Sequence, residues 1–236
     1  MPQSFFIWKG IDCRSMGVIL SGPVAIVRPE ERVNHVQIPG RSGDLTETEG
    51  ADIYNSYIQT ASIAVKTGAR VREIYAWLRG SGYVTFSGEP DRRQKARVIG
   101  AITLNRVSRN IDHWAGEVQF YCQPFKELLQ NKTTDIAPNA TILNSGDVEE
   151  KPEWSFTATG TSALISAGGK SLAITGLTAG NAYLIRSDVA MVMTADRQTD
   201  LTANSVGDFP VLEPGANTVS GSGWATVTVW RRERFL

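Results

Sequence analysis

From His113 to Cys122 the chain alternates strictly. Trp114, Gly116, Val118, Phe120 and Cys122 fall on one face of an extended segment, while Glu117, Gln119 and Tyr121 fall on the other. A side-chain period of two is what a half-buried strand requires, and it does not fit the ~3.6-residue repeat of a helix. Gln59 to Lys66 repeats the pattern through Ala61, Ile63 and Val65. Between these two strands Val71, Ile74, Tyr75 and Leu78 fall at helical spacing within Ala69 to Arg79, with Gly80 and Gly82 as the stop. The first half therefore reads as strands interrupted by one amphipathic helix.

The second half has no helical spacing. Short strand-like runs recur between glycine-rich turns: Trp154 to Thr157, Ala163 to Ser166, Ser171 to Thr175, Ala182 to Arg186, Ala190 to Thr194 and Trp224 to Arg231. Evenly spaced short strands predict a β-sandwich or jelly roll. Ile38-Pro39-Gly40-Arg41 suits a type II turn, with proline at the second position and glycine at the third, and Glu213-Pro214-Gly215-Ala216 repeats that chemistry. After Cys122-Gln123-Pro124-Phe125 the polar stretch Gln130 to Asn139 reads as a connector, which puts the boundary near residues 128 to 141. The expected organisation is a first domain over 1–130, a linker over 131–141 and a second domain over 142–236. Two domains also suit 236 residues, since single domains commonly run to roughly 100–150 residues.

Twenty-four basic residues balance twenty-four acidic ones, so no long-range field draws the chain to nucleic acid or to an anionic membrane. The start, Met1 to Lys9, has no basic segment followed by an apolar run, and no stretch approaches the roughly 18 apolar residues of a spanning helix. A soluble protein made in the cytoplasm, without membrane insertion, is expected. Cys13 and Cys122 lie far apart and form no Cys-x-x-Cys pair, which predicts two reduced thiols.

Catalytic and metal-binding patterns are missing. His35 and His113, the two histidines, sit in no ligand spacing, and Gly40-Arg41-Ser42-Gly43 does not have the Gly-x-Ser-x-Gly form of a nucleophile elbow. Gly221-Ser222-Gly223-Trp224 is followed by no helix pattern and reads as a hairpin turn. Adjacent Glu149 and Glu150 cannot straddle a cleft as a glycosidase pair does and read as a solvated loop. No catalytic residue, cofactor or metal site is expected. Trp154, Trp224 and Trp230 are the aromatic residues of the second half that suit either a core or a sugar-stacking platform. Trp224 and Trp230 are six apart, so in one regular strand they share a face, and they are the candidate sugar or partner contacts. Arg231, Arg232 and Arg234 read as solvated or edge-protecting charges.

Taken in order, the motifs Phe6-x-Trp8-x-Gly10-x-Asp12, Ile38-Pro39-Gly40-Arg41-Ser42-Gly43, Trp77-Leu78-x-Gly80-x-Gly82, Phe86-Ser87-x-Glu89-Pro90 and Phe120 to Phe125 resemble the N-terminal domain of siphophage distal tail (Dit) proteins. Gly207-Asp208-Phe209-Pro210-x-Leu212-x-Pro214-Gly215-x-Asn217 and the basic strand Val229 to Arg234 resemble the family's C-terminal domain. The resemblance implies a mainly β chain: an N-terminal β-barrel or sandwich with one α-helix, and a C-terminal galectin-like β-sandwich. It implies a homo-hexameric ring at the virion tail tip that joins the tail tube protein to the tail-tip hub protein and can carry receptor-binding proteins. DNA would pass through the lumen without sequence-specific binding, and no enzymatic activity is implied. The competing expectation is a carbohydrate-binding module that recognises host glycans through the C-terminal sandwich.

Overall fold

The structure, a computed structural model, describes residues 4–48, 50 and 52–236. It divides into two compact units, one of the residues up to Leu129 together with Leu236, the other spanning Gln130–Phe235.

The first unit is built on one antiparallel sheet. Its strands are β1 (Phe6–Trp8), β2 (Ile11–Asp12), β3 (Val18–Leu20), β6 (Tyr57–Val65), β7 (Ser81–Phe86), β8 (Arg92–Ile99) and β10 (Ile111–Leu128), in the order β2-β1-β7-β8-β10-β6-β3. A further strand, β9 (Leu104–Ser108), pairs with β10. The alternation that defined the central segment is seen in the register: Val118 lies opposite Ala61, and Gly116 opposite Ile63. Val118, Phe120, Cys122, Ala61, Ile63 and Val65 are all buried in one cluster. Gly116 has a reason beyond alternation, because a Cβ there would stand 2.0 Å from the Thr103 carbonyl oxygen.

Helix α1 spans Val71–Trp77 and is preceded by a 3-10 turn over Gly68–Arg70. It is shorter than the expected 69–79, and its buried face is Ile74 and Trp77, whereas Tyr75 is exposed. The β1 strand explains the rotation. Trp77 stacks on Phe6 with centroids 5.6 Å apart, its indole N–H donates to the Trp8 carbonyl at 3.2 Å, and the Trp8 indole N–H donates back to the Trp77 carbonyl at 3.2 Å. This reciprocal pair satisfies both buried indoles and ties the last turn of the helix to the strand.

The remaining strands of this unit, β4 (Val33–Val36) and β5 (Leu45–Thr48), pair with each other in a separate two-stranded sheet and are mostly exposed. The expected Pro-Gly turn sits between them: Gly40 has φ +82°, and Arg41 N–H donates to the Ile38 carbonyl at 3.1 Å.

The second unit is a sandwich of two five-stranded antiparallel sheets. One is ordered β11 (Lys132–Ile136), β20 (Trp224–Arg231), β13 (Glu153–Ala158), β16 (Ala182–Arg186), β17 (Met191–Thr194). The other is ordered β12 (Ala140–Asn144), β19 (Gly215–Ser222), β14 (Ser162–Ala167), β15 (Lys170–Thr175), β18 (Ser205–Gly207). Both contribute to a core that includes Trp154, Phe156, Ile165, Leu172, Ile185, Val219 and Val229. The architecture is mainly β with a single α-helix among the described residues, as the sequence predicts.

Two local expectations are corrected here. Residues 131–141, read as a linker, hold β11 and the start of β12, and both strands belong to the sandwich. The apolar alternation is missing because β11 is an edge strand whose only core residue is Ile136. Gly221 to Trp224, read as a hairpin turn, instead carries the chain from one sheet to the other, since β19 and β20 lie in different sheets. A Cβ at Gly221 would lie 1.9 Å from the Leu164 carbonyl oxygen, and one at Gly223 2.2 Å from that of Ser162. The crossing runs directly over β14, and only glycine allows so close an approach.

Candidate functional site

The two candidate tryptophans do not share a face. Opposite Phe156 and Ala158 of β13 stand Val227 and Trp224 of β20, so β20 carries one extra residue between those pairs. Such a bulge reverses the inside–outside phase of the strand. Trp224 therefore joins the core and its indole N–H donates to the Leu164 carbonyl at 2.8 Å, whereas Trp230 is half-buried on the outer face. Trp154 is fully buried, and its indole N–H donates to Ser187 Oγ at 3.0 Å.

On that outer face strand register sets a row of neighbours. Trp230 lies opposite Thr133 on one side and Glu153 on the other, and Glu153 lies opposite Arg186. Arg186 Nε stands 3.6 Å from Glu153 Oε2, and its guanidinium donates to Asp188 at 2.8 Å. Arg197 donates to both oxygens of Glu153, at 3.2 and 3.4 Å. Arg197 reaches there from a tight turn after β17, where it adopts φ +61°. That turn is pinned by Asp196, which accepts from Thr194 Oγ1 at 2.5 Å and from Gln198 N–H at 3.1 Å. These bonds hold the Asp196 carboxyl below the usual carboxylate range. Of these, Trp230, Glu153, Arg186, Asp188 and Arg197 line an open depression of about 760 Å³. Sequence reading picked out Trp230 and missed Glu153, Arg186 and Arg197, because pairing of three distant strands brings them together.

Other residues flagged by the sequence have structural work. Glu150 is buried: its backbone pairs with Leu212 through bonds of 2.8 and 2.9 Å, and Oε1 accepts from Arg232 N–H at 3.2 Å. Glu149 meets Lys170 at 2.9 Å. The pair is thus no solvated loop. The terminal arginines are also engaged: Arg231 with the Leu143 carbonyl, Arg232 with Asn131 at 2.6 Å and Arg234 with the Glu149 carbonyl at 2.5 Å. They brace the sandwich, with Glu233 fully buried among them.

His35 is exposed on β4, 3.3 Å from Thr46 Oγ1, and His113 is exposed on β10. Among the described residues no cluster of three or more His, Cys, Asp or Glu side chains could hold a metal ion, and no helix is long and apolar enough to cross a membrane.

Both cysteines are buried free thiols, as expected. Burial pushes the Cys122 thiol up to about 12 and the Tyr57 hydroxyl, despite its bond to Gln94, also to about 12. Groups whose pKa rises on folding contribute stability that is complete below their unfolded values, 9.0 and 10.0, and is lost as pH climbs towards the folded ones. We therefore expect the unfolding midpoint to fall between those unfolded values and about 12, and Cys122 to react with a thiol reagent only on unfolding. A midpoint flat over that range, or rapid native-state labelling, would contradict this.

No protein-family model matches the sequence, and no curated protein matches it. Among solved structures, the chain is similar to the Dit protein (gp 19.1) of phage SPP1, at a TM-score of 0.80, 18% identity and 99% coverage of both chains. That protein is described as a paradigm of the hub adsorption apparatus in phages that infect Gram-positive bacteria. Over nearly its whole length, the chain has the fold of a phage distal tail protein.

Proposed function

We propose that the chain is the distal tail protein of a long-tailed phage or prophage, made in the bacterial host cytoplasm and placed at the virion tail tip. It forms a homo-hexameric ring between the tail tube protein and the tail-tip hub, on which receptor-binding proteins can dock, and it acts as a structural part without catalysis. The observation that carries this reading is the shared fold over 99% of both chains, at a TM-score of 0.80. The motif order in the sequence points the same way.

A ring needs a head-to-tail contact whose rotation closes. The β4–β5 hairpin suits such a contact, because a lone two-stranded hairpin is marginal in water unless something packs on it, and both its strands are largely exposed. The balanced charge of 24 basic and 24 acidic residues also suits a lumen that must let DNA slide through without holding its phosphates.

Light scattering on the purified protein should reveal a species of about six subunits, and electron microscopy should show particles with a central hole. A strict monomer at high concentration that forms no ring beside its tail partners would overturn the proposal.

A further inference from the structure

The outer face of the β11-β20-β13-β16-β17 sheet is concave and densely charged. Its depression, about 760 Å³, falls within the ~300–1,000 Å³ typical of small-molecule sites. The residues that line it combine one half-buried indole, Trp230, with a dense set of charges. Five of the lining side chains are cationic and three are carboxylates; with Arg231 compensated by the buried Glu233, one positive charge is left over.

Exposed ion pairs of this kind add little stability, roughly 0–1 kcal/mol each, so folding alone does not account for the cluster. Its order is also unusual. Arg197 occupies a backbone conformation that bulky L-residues seldom adopt, and the stapled Thr194–Thr199 turn holds it over Glu153. Arg186 Nε is buried against Glu153, 3.6 Å from Oε2, whereas the Arg197 side chain is 59% exposed and engages Glu153 through Nη2 alone. A fixed fork with spare donors, beside a flat aromatic ring, matches a ligand that has both an anionic group and an apolar C–H face.

We propose that this depression binds a saccharide bearing an anionic substituent, with its carboxylate or phosphate on Arg186 and Arg197 and its ring on Trp230. Glu153 and Asn131, both lining the site, supply the acceptor and the amide that neutral hydroxyls need. A hydrophobic ligand would strand these charges without partners.

The test is calorimetric titration of the full-length protein with glucuronate, glucose 6-phosphate, glucose and inorganic phosphate. At least one of the two charged sugars should bind, and which one does tells a carboxylate source from a phosphate source. Glucose should bind at least ~10-fold more weakly, as the loss of a charge-assisted bond implies. Trp230→Ala and Arg197→Asn should each weaken the charged sugar by a similar factor; asparagine tolerates the turn's positive φ. If Trp230→Ala lowers the melting temperature, Arg197→Asn, on an exposed turn, decides alone.

The proposal is overturned if neither charged sugar binds or if glucose binds equally well. It is equally overturned if inorganic phosphate matches glucose 6-phosphate, or if the variants bind as the parent does. None of these outcomes bears on ring formation, which is read separately by light scattering.

Discussion

Trp8→Ala is expected to lower the stability of the first unit by about 3–5 kcal/mol, the range for deleting a large buried aromatic. Trp8 is fully buried, its ring lies 5.3 Å from that of Phe120, and its N–H satisfies the Trp77 carbonyl where α1 ends. Truncation therefore opens a cavity and strands a helix-terminal carbonyl together. Trp8→Phe weights the second effect, since it keeps a six-membered ring in the core and removes the donor with the pyrrole edge, the unmet carbonyl costing about 1–3 kcal/mol. Urea titration followed by tryptophan fluorescence gives both values, with the slope m unchanged if the unfolded state is unaffected. A loss under about 1 kcal/mol for Trp8→Ala, the level of an ordinary surface change, would mean that the site collapses without cost and that the indole exchange is incidental.

The second large effect is expected at Glu233. This carboxylate has no exposure, meets Lys132 at 2.6 Å and Arg231 at 3.7 Å, and so neutralises an arginine whose own side chain is only 9% exposed. Removing one member of a buried pair costs about 3–5 kcal/mol, because the charge left behind keeps its desolvation penalty and loses its compensation. Glu233→Gln preserves the shape and removes only the charge, so it should fall most of the way to Glu233→Ala. If Glu233→Gln were as stable as the parent, the pocket would be recognising the shape of the side chain and the ion pairs would be dispensable. A double variant with Lys132→Met measures the coupling directly, since residues in contact deviate from additivity.

Much of the architecture was legible because it rests on local periodicity. The alternation from Trp114 to Cys122 survives as the centre of β10, and the six runs named in the second half coincide with β13 to β17 and β20. What escaped was set by distant partners. Nothing within Val71 to Leu78 reveals that Trp77 faces inwards in place of Tyr75, because Phe6 and Trp8 decide it. Glu149 and Glu150 look solvated until Lys170, Leu212 and Arg232 are brought to them.

The candidate site was half legible for the same reason. An indole on a strand can be read from the sequence, but whether Trp224 or Trp230 lies on the outer face depends on a single unpaired residue in β20. Glu153, Arg186 and Arg197 lie in separate segments and only strand register assembles them.

The sheet order of the second unit also has a consequence for biosynthesis. β11 and β12, the first strands of the unit to leave the ribosome, have as their only sheet neighbours β20 and β19, the last two long strands of the unit. Until those arrive, β13-β16-β17 and β14-β15-β18 can form as two half-sheets with unpaired edges, while β11 and β12 wait as single strands. Pairings across so long a stretch of chain close slowly, and open edges invite the wrong partner in the meantime. The nascent sandwich is therefore exposed to chaperones and to misassembly until β19 and β20 have been made, and the glycine crossing at Gly221 and Gly223, which lets β20 follow β19 across the gap, acts as its latch.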